Sequence, residues 1–168
     1  MTKIHSSATA DRFKRLKLFL ALSRTPHGLL DMATPALSVL LYLGGFPPLG
    51  VILIGLITAF AGYTAIYALN DLVDYRSDKE KSDQPTAAPE HYLDALMVRH
   101  PMALGLLTLK DGILWTAGWT LVALIGAYLL NPMCVVIFVA GAVLETVYCL
   151  LWSVSPWRSV VSGFVKNS

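Results

Sequence analysis

Four apolar stretches of roughly twenty residues limit what this chain can fold into, because a helix of that length and character matches the ~30 Å hydrocarbon core of a bilayer. They run from about Gly28 to Phe46, which Asp31 and Pro35 interrupt, from Leu49 to Leu69, from Gly112 to Leu130 and from Pro132 to Trp152, which contains Glu145. Backbone polar groups must be satisfied within each span, so helices are the expected elements. At 55% hydrophobic and 14% charged residues, with a mean hydropathy of +0.60, the chain is too apolar for an ordinary soluble domain. The expected fold is all-α, a multi-span transmembrane helix bundle of about four spans, with Val160-Val161-Ser162-Gly163-Phe164 opening a fifth.

Charge orients this bundle. All 13 Lys and Arg fall in the N-terminal segment, in the connection at 72–111 or in the tail after Trp152, and none in the turns at 44–48 and 131–132. The positive-inside rule then places both termini and the 72–111 loop on the cytoplasmic side of the cell (inner) membrane. Residues 1–27 carry Lys3, Arg12, Lys14, Arg15, Lys17 and Arg24 between apolar residues, which suits a basic amphipathic segment on an anionic leaflet. Membrane lipid is the expected partner of this segment, and nucleic acid is not. Residues 28–168 form the transmembrane domain. No short apolar core with a small-residue cleavage site precedes it, so a removed signal peptide is not expected.

Other chemistries find little footing. Cys134 and Cys149 lie in one apolar run, about 22 Å apart along a helix, and are expected to be packing residues that cannot bridge within it. His5, His27, His91 and His100 lack ligand-like spacing and are expected to be polar surface residues. No Gly-rich phosphate loop is present.

The informative stretch is Asn70-Asp71-Leu72-Val73-Asp74-Tyr75-Arg76-Ser77-Asp78, at the end of the second apolar run. On a helix advancing about 100° per residue, Asn70, Asp71, Asp74 and Asp78 share an arc of about 100°. Carboxylates crowded on one face repel each other unless a cation sits among them. Hard oxygen ligands suit Mg²⁺, which binds through one or two carboxylates plus phosphates and keeps several waters. A Mg²⁺-diphosphate site at a membrane surface is one expectation. A helix end that simply becomes polar where it meets water is the other, and spacing alone leaves both open.

Asn70-Asp71-x-x-Asp74-x-x-x-Asp78 resembles the first aspartate-rich motif, NDxxDxxxD, of the UbiA superfamily of intramembrane prenyltransferases, found at the end of their second membrane helix. Downstream, Arg99-His100-Pro101-Met102-Ala103-Leu104-Gly105-Leu106-Leu107-Thr108 is similar to that family's "RPl-a-G-x-(I/L)-(S/T)" segment leading into helix three. The resemblance implies transfer of a prenyl group from a prenyl diphosphate to a lipophilic acceptor, with Mg²⁺ held by Asn70, Asp71, Asp74 and Asp78. It also implies that Arg24, near the start of helix one, helps hold the diphosphate; a snorkelling anchor is its other reading. The family's Tyr-x-x-x-Lys element has its nearest counterpart in Val154-Ser155-Pro156-Trp157-Arg158, so only Arg158 carries over as a diphosphate ligand. Asp31, Arg99 and Glu145 are further candidates, with Glu145 expected to face the bundle interior in a polar pairing. The long 72–111 connection suits a cap over a membrane-level site.

The resemblance implies one departure. A complete UbiA-type enzyme has two related halves and a second aspartate-rich motif, and this chain corresponds to the first half. It is therefore expected to be a truncated product, a fragment, or one half of a split enzyme completed by a second chain, and an incomplete catalyst alone. A non-catalytic membrane subunit or scaffold, using its apolar faces for partner helices, is the alternative. A transporter component, motivated by Asp31 and Glu145, is a third.

Overall fold

The computed structural model describes residues 3–75, 79, 98 and 100–151, and their side chains from residue 11 to residue 150. Asp78, Arg99, Arg158, most of the 72–111 connection and the expected fifth helix lie outside the described residues. Within them the architecture is all-helical: α1 (Lys3–Leu22), α2 (Thr25–Asp31), α3 (Ala33–Leu43), α4 (Leu49–Val73), α5 (Leu109–Leu130) and α6 (Pro132–Leu151). Three of these, α4, α5 and α6, are long and apolar enough to cross a membrane.

The stretch expected as a first span is not one helix. It is divided into α2, of 7 residues, and α3, of 11, neither of which reaches the roughly 20 residues a crossing needs. Met32, at the division, keeps helical dihedrals (φ −60°, ψ −21°). What fails there is the hydrogen-bond ladder, because Pro35 has no N–H to offer the Asp31 carbonyl and its ring crowds that oxygen. On either side the ladder resumes, from Met32 N to Gly28 O at 3.1 Å and from Ala36 N to Met32 O at 3.3 Å.

By contrast, α4 outlasts its apolar run. It stays helical beyond Leu69 to Val73, so Asn70 and Asp71 sit in its last turn and Asp74 caps it, returning its N–H to the Asn70 carbonyl at 3.0 Å.

Packing follows the chemistry of lipid rather than water. Between helices in hydrocarbon there is no hydrophobic gain, so association relies on close backbone approach through small residues. Ala61, Ala65 and Ala68 of α4 are buried, as are Gly112, Ala123, Gly126 and Ala127 of α5. The two helices run antiparallel, with Thr58 opposite Gly126 and Leu72 opposite Gly112. On another side of α4, Gly62 makes room for the Phe138 ring of α6. Large apolar side chains such as Leu41, Tyr42, Phe46 and Leu114 point outward. Small inside and large outside is the pattern of an integral membrane protein.

One end of the bundle is closed by side chains from distant parts of the chain. Leu22, Ala68, Met102 and Leu107 are buried together, with Phe19, Leu72, Tyr75 and Trp115 around them. Met102 lies in a turn that begins at Pro101 and stops at Gly105, and Leu107 follows just beyond it. There Leu106 N bonds Pro101 O at 2.9 Å and Gly105 N bonds Met102 O at 3.0 Å, a Schellman stop whose left-handed residue is Gly105 (φ 70°). Thr108 then caps α5 by accepting from Asp111 N at 3.1 Å and donating to its carboxylate at 2.8 Å. Arg15 of α1 reaches the same carboxylate at 2.9 Å, and Trp115 Nε1 donates to the buried Ser23 hydroxyl at 2.8 Å.

Candidate functional site

The closed end of the bundle is also where the charged groups meet. Arg24 stands between α1 and α2 in the left-handed region (φ 43°, ψ 45°), a conformation that costs a non-glycine residue roughly 1–2 kcal/mol. Pro26 helps open the chain there by removing an N–H from the first turn of α2, and the Thr25 hydroxyl takes up the Leu20 carbonyl at 2.9 Å. From this break the Arg24 guanidinium donates to Asp71 Oδ1 at 3.3 Å. The Asp71 side chain is 3% exposed and that of Arg24 38%. His100 Nδ1 lies 3.4 Å from the same oxygen, and His100 also has a left-handed backbone (φ 49°). A buried carboxylate is sustained only by such partners.

Around this pair lie further oxygens. Cys149 of α6 donates its thiol to Asn70 Oδ1. Glu145, one turn earlier on α6, is within electrostatic reach of Asp74 and of Arg24. The pairing expected for Glu145 therefore includes a like charge, Asp74, as well as the Arg24 cation.

Asp31 sits deeper, at the end of α2. The Tyr67 hydroxyl donates to its carboxylate and the Tyr63 hydroxyl to its backbone carbonyl, the latter at 3.3 Å. That carbonyl is the one Pro35 deprives of a helical donor. Tyr63 and Tyr67, one turn apart on α4, thus hold both ends of the residue at the kink. Electrostatic reach from Arg24 to Tyr67 links this group to the site above it.

The model of the UbiA prenyltransferase family matches residues 32–167 of the chain. The chain belongs to this family. Membership places it among membrane prenyltransferases, in keeping with its three long apolar helices. Searches of curated proteins and of solved structures found no match to it.

UbiA-family prenyltransferases generally use Mg²⁺, so the oxygens at the end of α4 are tested against that ion. Among the described residues, no three His, Cys, Asp or Glu side chains stand together as a metal-binding group. Mg²⁺ does not require three, since one or two carboxylates suffice when phosphates and waters complete its shell. Asn70 and Asp74, one turn apart, offer hard oxygens of the right kind, and Asp74 lies within electrostatic reach of the Glu145 carboxylate, as does the Arg24 cation. The donor chemistry fits.

Two residues of this cluster escaped the sequence. His100 had been expected at the surface, yet its imidazole reaches Asp71. A signal was available: it directly precedes Pro101, where the family segment has Arg before Pro. Cys149 had been expected only to pack, and nothing local announces a bond to a residue 79 positions away.

Proposed function

We propose that this chain binds a prenyl diphosphate at the end of α4 with Mg²⁺ and serves transfer of the prenyl group to a lipophilic acceptor. The observation that carries this is the placement of a cation, Arg24, against Asp71 at one end of an apolar bundle, within electrostatic reach of Glu145, which is itself within reach of Asp74. A metal with its anionic substrate needs oxygens for the one and a cation for the other, and both kinds of group are side by side.

In this reading Asn70 and Asp74, joined by Asp78 beyond the described residues, hold Mg²⁺. When bound, the ion neutralises charge on the departing diphosphate. The chain's own residues do the rest. Arg24, with more than a third of its side chain open, meets phosphate oxygens and counters charge that develops as the ester bond lengthens. Phe19, stacked on Trp115 at 4.7 Å, and the apolar cluster behind it keep water from that end of the bundle. The kinked pair α2 and α3 makes a first crossing, so that four crossings leave this site on the cytoplasmic side by the distribution of Lys and Arg.

The test is a calorimetric titration of the whole chain in detergent with inorganic pyrophosphate, with and without Mg²⁺. Affinity that requires Mg²⁺ and is lost in Asp74→Ala supports the proposal. Equal binding with and without the ion, or none, refutes it.

A further inference from the structure

We infer that Asp71 is a positioning residue: its sealed carboxylate holds Arg24 and His100 in left-handed backbone conformations and so presents both side chains, already oriented, to the phosphate oxygens at the end of α4. This rests on the diphosphate site proposed above and gives Asp71 a task separate from holding the metal.

Three observations converge. Arg24 and His100 are the two non-glycine residues with positive φ among those described, and both reach one atom, Asp71 Oδ1, at 3.3 and 3.4 Å. Strain of this kind persists only where surrounding contacts over-determine it. The two come from unrelated parts of the chain, the break between α1 and α2 and the turn before α5, so no shared local sequence explains the coincidence. Pro26 accounts for a break near Arg24 but not for its handedness, whereas the ion pair to Asp71 accounts for both.

Exposure then separates the roles along α4. The Asp71 side chain is 3% exposed, while those of Arg24 and His100 are 38% and 28% exposed. An approaching anion meets the guanidinium and the imidazole first, and the carboxylate lies behind them. Groups fixed before the ligand arrives lose less freedom on binding, which favours affinity.

Two measurements on the full chain in detergent decide this. In the first, inorganic pyrophosphate is titrated at saturating Mg²⁺, and the Mg²⁺ concentration for half-maximal binding is found separately. Asp71→Asn should weaken pyrophosphate about tenfold, the size of a lost charge-assisted bond, and leave the Mg²⁺ midpoint in place. Asp74→Asn should raise the Mg²⁺ midpoint. If Asp71→Asn moves that midpoint as Asp74→Asn does, with pyrophosphate affinity at saturating Mg²⁺ intact, Asp71 is a ligand and the inference is overturned. The second measurement needs no ligand: melting temperatures of Asp71→Asn, Arg24→Gln and the double variant. Coupled shifts support the positioning role, and additive shifts overturn it. A wild-type chain that binds no pyrophosphate sinks the diphosphate site itself, and the ligand-free cycle still decides whether Asp71 positions Arg24.

Discussion

Replacing Gly126 with alanine should loosen the contact between α4 and α5, and the same replacement at Gly118 of the same helix should not. A Cβ at Gly126 would fall on Thr58 Oγ1 and stand 3.1 Å from Thr58 Cβ and 3.4 Å from its methyl group. Thr58 has little freedom to move aside, since it is β-branched and its hydroxyl donates to the Ile54 carbonyl at 2.7 Å. The helices must therefore separate, which weakens contacts of the neighbouring Ala123 and Ala127. Overpacking of this kind costs about 1–3 kcal/mol. Gly118 has nothing within 4 Å of its added Cβ, so alanine there gains about 0.5–1 kcal/mol of helix preference. Because Gly126→Ala gains that same preference, the overpacking term alone separates the two variants, by about 1–3 kcal/mol, or roughly five- to a hundred-and-fiftyfold in the unfolding constant. Titration from mild detergent into sodium dodecyl sulfate, followed by tryptophan fluorescence, measures this directly. Adding Thr58→Ala to Gly126→Ala should recover much of the loss. Equal midpoints for the two single variants would refute the proposed contact.

Two other substitutions probe the backbone. Tyr63→Phe removes the donor to the Asp31 carbonyl and should cost about 1–3 kcal/mol by leaving that acceptor unsatisfied. In a Pro35→Ala background the restored N–H of residue 35 serves the same oxygen, so thermal melts in detergent should show a much smaller effect of Tyr63→Phe. Gly105→Ala forces a Cβ into a left-handed residue (φ 70°) and should cost about 1–2 kcal/mol in the same melts, with Gly105→Asn milder.

The parts of the fold legible in the sequence were those that depend on local composition. Apolar runs located α4, α5 and α6, and the run of Asn and Asp residues located the end of α4. Hydropathy does not register hydrogen-bond donors, however, so the stretch from Gly28 to Phe46 read as one span interrupted by Asp31 and Pro35, and its division into two short helices emerged only in the structure. The same limit ended the second run at Leu69, whereas the helix holds its bonds as far as Val73. Helical period put Asn70, Asp71 and Asp74 on one arc, while their separate partners, Cys149 for Asn70, Arg24 for Asp71 and Glu145 near Asp74, emerged from the structure. The turning of Asp71 toward Arg24 and His100 was not legible, because it depends on two breaks in the chain that only the packed bundle brings together. Arg24 was found by resemblance, and Asp31 by its charge inside an apolar run, but its two tyrosine partners emerged only once α2 lay against α4.

The kink at Met32 also divides the work of the two short helices. α2 is tied to α4 through Arg24, Gly28 and Asp31, whereas α3 buries none of its residues and packs chiefly on α2. Movement of α3 therefore need not disturb the grip of α2 on Tyr63 and Tyr67.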